Sequence, residues 1–149
     1  MADKATEQKI IAGSIEDCWA VVTDLERYPE WISNMKEVRV LSRDSEGRAQ
    51  EVSFRAAAFG RSTSYTLKYD YSKAPKVLSW VWLAGDITNK LDGKYTFEPA
   101  DGGTLVSYEL EAELKVPLPG FVKRRAETSI IHTALSELKA RVEASAKKK

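Results

Sequence analysis

The sequence predicts an α+β fold in which a curved antiparallel sheet of about seven strands wraps one long C-terminal helix. Three observations carry this expectation. From Lys36 onward, successive segments alternate apolar and polar residues at a period of two. The stretch from Phe121 to about Lys147 contains no Gly or Pro and repeats its apolar residues at helical spacing. A sheet wet on one face must cover the other, and this helix is the only predicted element large enough to do so.

Taken in order, weak alternation over residues 6–12 predicts a first strand. Ser14 is placed to cap a helix over Ile15–Thr23, with Glu16 and Asp17 in the first turn, where the helix dipole favours acids. Ile15, Cys18, Trp19, Val22 and Leu25 recur at helical spacing. The chain breaks around Tyr28-Pro29, because a residue before proline avoids helical geometry. A second short helix is predicted over 29–34, with Pro29 at its first position.

Val38 and Val40 then flank Arg39 in a second strand, and 44–47 reads as a turn. Val52, Phe54 and Ala56 mark the third strand, Gly60 the next turn, and Tyr65, Leu67, Tyr69 and Tyr71 the fourth. Residues 77–83 are apolar on both sides, with Leu78, Trp80 and Trp82 sharing one. Leu91, Gly93, Tyr95 and Phe97 define the sixth strand, where a lone glycine implies a bulge or a close backbone approach. After a hairpin turn at 99–103, Val106, Tyr108, Leu110, Ala112, Leu114 and Val116 alternate strictly with polar residues until Pro117, Pro119 and Gly120 end the strand.

The chain of 149 residues is read as one domain spanning 1–149, loosening from about residue 143. A domain of this length buries about 70% of its unfolded surface and needs no metal or disulfide to fold. The net charge of +1 argues against a nucleic-acid binder, which shows a basic field over one face. One cysteine, a polar N-terminus and the lack of a long apolar run lead to the expectation of a reduced, cytoplasmic protein without stable membrane insertion.

The segments 24–31 (Asp-Leu-Glu-Arg-Tyr-Pro-Glu-Trp), 91–95 (Leu-Asp-Gly-Lys-Tyr), 108–111 and 117–127 carry a resemblance to a known family. Across nearly the whole chain the sequence resembles the START-like (SRPBCC) superfamily, which has the helix-grip or birch-pollen-allergen fold. It is most similar to the branch of polyketide cyclases/dehydrases and lipid-transport proteins. The end segment looks like small actinobacterial members of that branch. This resemblance implies a cavity between the concave sheet and the last helix, holding lipids, polyketides, isoprenoid quinones or plant hormones in relatives.

Tyr65, Tyr69, Trp80, Trp82, Tyr95 and Tyr108 share the inferred concave face, and Leu110 and Ile131 border it. Such an aromatic set is either plain core or a pocket, since Tyr and Trp combine an apolar body with a polar handle. On the last helix, Ile131, Ala134, Leu135, Leu138 and Val142 form one stripe, and projecting it back puts Arg124 near its centre with Glu127 and Thr128 at its edges. On that projection Arg124 and Thr128 hold a ligand's polar end, with Glu127 pairing Arg124 at i,i+3. The alternative is that the first turns overhang the sheet into solvent.

His132, the single histidine, lies on the flank of the stripe and reads as a surface residue. Cys18 reads as a small core residue. No phosphate loop, paired Cys motif, HExxH or GxSxG is present, so the sequence names no catalytic set, no metal ligands and no cofactor. Lys123-Arg124-Arg125 and Lys147-Lys148-Lys149 serve either transient contact with anionic membranes or solubility. Three functions stay open: binding or transport of a hydrophobic or amphipathic small molecule, a cyclase/aromatase-type enzyme using the same cavity, and a protein-interaction module. The sequence does not indicate an oligomeric state.

Overall fold

In the computed structural model, which describes residues 3–58, 61–115 and 119–147, the strands form one antiparallel sheet in the order β1-β7-β6-β5-β4-β3-β2. In chain order the elements are β1 (Asp3–Ile11), α1 (Ile15–Thr23), a 3-10 turn (Leu25–Arg27), α2 (Tyr28–Trp31), β2 (Met35–Arg43) and β3 (Ala49–Ala58). There follow β4 (Arg61–Asp70), β5 (Val77–Gly85), β6 (Thr88–Ala100), β7 (Gly103–Leu114) and α3 (Gly120–Lys147). Strands β2 to β7 each pair with the next in the chain, and β1 closes onto β7. The expected turn at Gly60, the strand end at Val116 and Pro117, and the terminal Lys148 and Lys149 lie outside the described residues.

Helix α1 begins as its sequence dictates. Ser14 Oγ accepts from Asp17 N (3.0 Å), and Asp17 Oδ2 accepts from Ser14 N (3.2 Å), a reciprocal cap that contributes about 1 kcal/mol. Strand β1 starts earlier than alternation suggested, because backbone pairing with β7 runs back to Asp3↔Ala112. A ladder hydrogen bond needs no apolar side chain, so polar residues continue it unannounced.

The helix expected over 29–34 is shorter and shifted: α2 ends at Trp31, and Ile32 is already extended (φ −99°, ψ 108°). Its end has a tertiary cause. The Ser33 N–H donates to Glu137 Oε2 of α3 (3.1 Å) instead of to a helical carbonyl. Tyr28 and Trp31 are buried edge-to-face, 5.2 Å between centroids, and Tyr28 Oη donates to Val22 O (2.5 Å).

Helix α3, 28 residues long, extends about 42 Å. Its C-terminal half is docked. Leu135, Leu138 and Val142 are fully buried among Ile11, Cys18, Val22 and Val106. At Gly13 a Cβ would stand only 2.8 Å from Val142 Cγ1, so the glycine lets α3 approach the start of α1. The chain expected to loosen near 143 is helical to Lys147. Glu143 Oε2 accepts from Ala12 N (2.9 Å), and Arg141 pairs with Glu30 (2.9 Å). The N-terminal half of α3 spans the remaining width of the sheet.

Candidate functional site

Between the sheet and α3 lies a cavity of about 570 Å³. Its floor is aromatic, and strand register explains why. Phe54↔Tyr65, Tyr69↔Trp80 and Tyr95↔Tyr108 are directly opposed cross-strand pairs. The period of two puts all six rings on one face. Their centroids lie 5.3 Å apart for Phe54–Tyr65, 5.6 Å for Tyr69–Trp80, 5.6 Å for Trp80–Tyr95 and 4.6 Å for Tyr95–Tyr108. Opposite Trp80 stands Gly93, where a Cβ would come within 2.6 Å of Trp80 Cζ2 and 2.8 Å of Glu109 O. The glycine is therefore a close-approach position over which the indole lies.

Two kinds of tyrosine share this region. Tyr28 and Tyr71 spend their hydroxyls on backbone carbonyls, Tyr71 Oη donating to Ala49 O (2.6 Å). The hydroxyls of Tyr65, Tyr69, Tyr95 and Tyr108, all of which line the cavity, make no hydrogen bond to a described residue. Burial pushes the Tyr65 phenol up to about 12 and lifts Tyr69, Tyr95 and Tyr108 well above their ordinary range. All four stay neutral near pH 7, each able to donate and accept one bond.

The opposite wall is α3, and it presents two adjacent stripes. Ile131, Leu135, Leu138 and Val142 form the sealing stripe. The cavity is lined by a stripe one residue earlier, Ala126, Ile130, Thr133 and Glu137, with Glu127 and Ala134 between the two. One residue is about 100° of helix. The only charged side chains among the described lining residues are Glu127 and Glu137. Glu127 is 4% exposed. Glu137 holds Ser33 N through Oε2, while its Oε1 is buried and accepts no hydrogen bond.

Of the residues expected at the site, the structure brings together Tyr65, Tyr69, Trp80, Tyr95, Tyr108 and Leu110 along the cavity. Trp82, Arg124, Thr128 and Ile131 are not among its lining. The β5–β6 ladder stops at Trp80↔Gly93, and β4–β5 carries a bulge between Thr66 and Leu67. Trp82, paired with Leu67, donates its backbone N–H to Asp92 Oδ1 (2.8 Å) and its indole N–H to Thr88 Oγ1 (2.9 Å). Ile131 belongs to the sealing stripe, 1% exposed.

Arg124, projected toward the cavity, is not among its lining residues. Arg124 and Thr128 are exposed, beside Glu7, Arg125 and His132 at a shallow depression on the outer side of α3. A projected stripe gives angle only, and burial along this helix begins at Glu127 and Ile131. Glu137, Thr133 and Phe54 were not anticipated. A signal for the first two existed in the row Ser129, Thr133, Glu137, polar residues at i,i+4 spacing that border the apolar stripe.

His132 is exposed, with Nδ1 3.2 Å from Glu7 Oε2. Cys18 is fully buried, and burial pushes its thiol up to about 11, which keeps it protonated and inert. Among the described residues no cluster of three metal-ligating side chains occurs. No described helix is long and apolar enough to cross a membrane.

The profile described as polyketide cyclase/dehydrase and lipid transport matches residues 2–143. Solved structures similar to this one include a START superfamily protein from Mycobacterium smegmatis (23% identity, TM-score 0.89, covering 95% of this chain and 97% of that one). Another is the Zhui aromatase/cyclase from a Streptomyces species (14% identity, TM-score 0.81, 96% and 94% covered). A third is a STAR-related lipid transfer protein from Xanthomonas axonopodis (14% identity, TM-score 0.72, 94% and 85% covered). At these identities the likeness establishes the helix-grip fold. No curated protein matches the chain in sequence.

Proposed function

The chain belongs to the polyketide cyclase/dehydrase and lipid transport family, and we propose that it binds or carries a hydrophobic or amphipathic small molecule, a lipid, isoprenoid or polyketide. The observation that carries this reading is the cavity itself. Its volume of about 570 Å³ lies within the roughly 300–1,000 Å³ of small-molecule sites. A structural core would close around six opposed rings; here four tyrosine hydroxyls remain unused by the protein instead. Hydroxyls that the protein leaves unbonded along a cavity are free to donate to and accept from a guest. Tyr65, Tyr69, Trp80, Tyr95, Tyr108 and Leu110 are the residues assigned to ligand contact.

Native mass spectrometry of protein purified from its own host, with extraction of the bound material, tests this directly. A stoichiometric adduct of a few hundred daltons is expected. Repeatedly ligand-free protein that also takes up no lipid, quinone or polyketide would refute the reading.

The same hydroxyls support a second reading, a cyclase/aromatase-type enzyme, in which cavity shape folds a reactive chain and neutral phenols polarise its carbonyls. The similar aromatase/cyclase lends this some weight. Arg124 and Thr128, exposed on the outer side of α3, have no part in it. An interaction module with a filled interior is disfavoured by the cavity volume. Cytoplasmic location, function without a cofactor and the absence of nucleic-acid partners belong to the same proposal.

A further inference from the structure

The cavity's electrostatics narrow the class of guest, and this step rests on the binding function proposed above. We infer that the ligand presents a hydrogen-bond donor and no negative charge to the α3 wall: its polar end is a hydroxyl or a protonated amine, not a carboxylate, sulfate or phosphate. The charged lining is of one sign. Glu127 and Glu137 line the cavity, and no described Lys, Arg or His does. The basic residues of the first turns of α3 that the structure describes, Arg124 and Arg125, are exposed beside His132 on the outer side. An anion entering the cavity would lose its hydration and meet the Glu137 carboxylate. That arrangement selects against anions by repulsion as well as for donors by attraction.

Glu137 supplies the specific contact. Its Oε2 is held by Ser33 N (3.1 Å), which fixes the side chain between α2 and α3. Its Oε1 is buried and without a hydrogen bond. Glu137 lines the cavity, and a donor that reaches this oxygen gains a bond to a carboxylate, which is stronger than a neutral one. The floor adds to this preference. Trp80, Tyr95 and Tyr108 line the cavity packed against one another, and an aromatic face that a cation reaches attracts it. The neutral phenols serve a hydroxyl equally well, so alcohol and amine share one chemistry here.

The test uses three probes of equal chain length, dodecanol, dodecylamine and dodecanoate, below their micellar concentrations at pH 7, competing with Nile red bound to the whole protein. Nile red is expected to bind with a blue shift. Dodecanol and dodecylamine are expected to displace it, with dodecanoate at least about tenfold weaker, a gap of about 1.4 kcal/mol. Glu137→Gln keeps an acceptor for Ser33 N and places an amide N–H₂ where the free oxygen was. In a variant with unchanged melting temperature, dodecylamine is expected to weaken about tenfold and dodecanoate to close the gap. Dodecanoate competing as well as the other two, or an unchanged ranking in Glu137→Gln, overturns the inference while leaving ligand binding intact. Failure of Nile red and all three probes overturns the binding function itself, and the inference with it.

Discussion

At the scale of single residues, the tyrosines divide by what their hydroxyls touch. Tyr71 Oη donates to Ala49 O, whereas Tyr108 Oη bonds to no described residue. Tyr71→Phe therefore leaves a buried carbonyl short of its donor and is expected to cost about 1–2 kcal/mol. Tyr108→Phe is expected to leave the urea midpoint within about 0.5 kcal/mol of the parent while weakening the bound guest several-fold. A large stability loss in Tyr108→Phe would show that its hydroxyl serves the fold, not a ligand. The aromatic positions were legible in sequence because alternation reports which face a strand residue occupies. Trp82 is not among the lining residues, and the bonds it donates to Asp92 and Thr88 leave no mark on the alternation pattern.

At the scale of elements, α3 has two jobs on two stripes. Leu138 is fully buried against the core, while Ile130, 44% exposed, borders the cavity. Leu138→Ala should destabilise by about 2–5 kcal/mol, the cost of a core cavity. Ile130→Ala should change stability by less than about 1 kcal/mol and alter Nile red affinity. Equal stability losses at both positions would mean that α3 has one packed face and no separate ligand face. The sealing stripe was readable from spacing. The lining stripe was not, since Thr133 and Glu137 look like ordinary surface residues until the sheet is placed opposite them. Arg124 shows the converse: it shares the angle of the sealing stripe yet is exposed.

At the scale of the molecule, the cavity floor gathers buried phenols that titrate together with unfolding. Burial raises Tyr28, Tyr65, Tyr69, Tyr95 and Tyr108 in the folded state, Tyr65 to about 12, against about 10 in an unfolded chain. Because the folded values are raised, the stability these groups contribute is complete below about pH 10. It is lost as pH climbs through the folded values, with a slope of up to ~1.4 kcal/mol per pH unit for each tyrosine. Urea midpoints should be flat with respect to these groups from pH 8 to about 10 and fall steeply toward pH 12. Tyrosinate absorbance should rise together with unfolding. Phenolate appearing near pH 10 in protein that stays folded would contradict the buried, neutral assignment.

What the sequence determined alone is whatever depends on local periodicity: the order of strands and helices, the cap at Ser14, the face on which each ring lies, and the family. Those properties are encoded within a turn of helix or a few residues of strand. What only the tertiary structure decided is the width of the gap between sheet and helix, the absence of Arg124 and Trp82 from its lining, and the presence of Glu137 along it. These depend on where α3 crosses the sheet and on bonds between residues a hundred positions apart, Ser33 to Glu137 among them. No local pattern carries that information, because it arises only when distant segments pack.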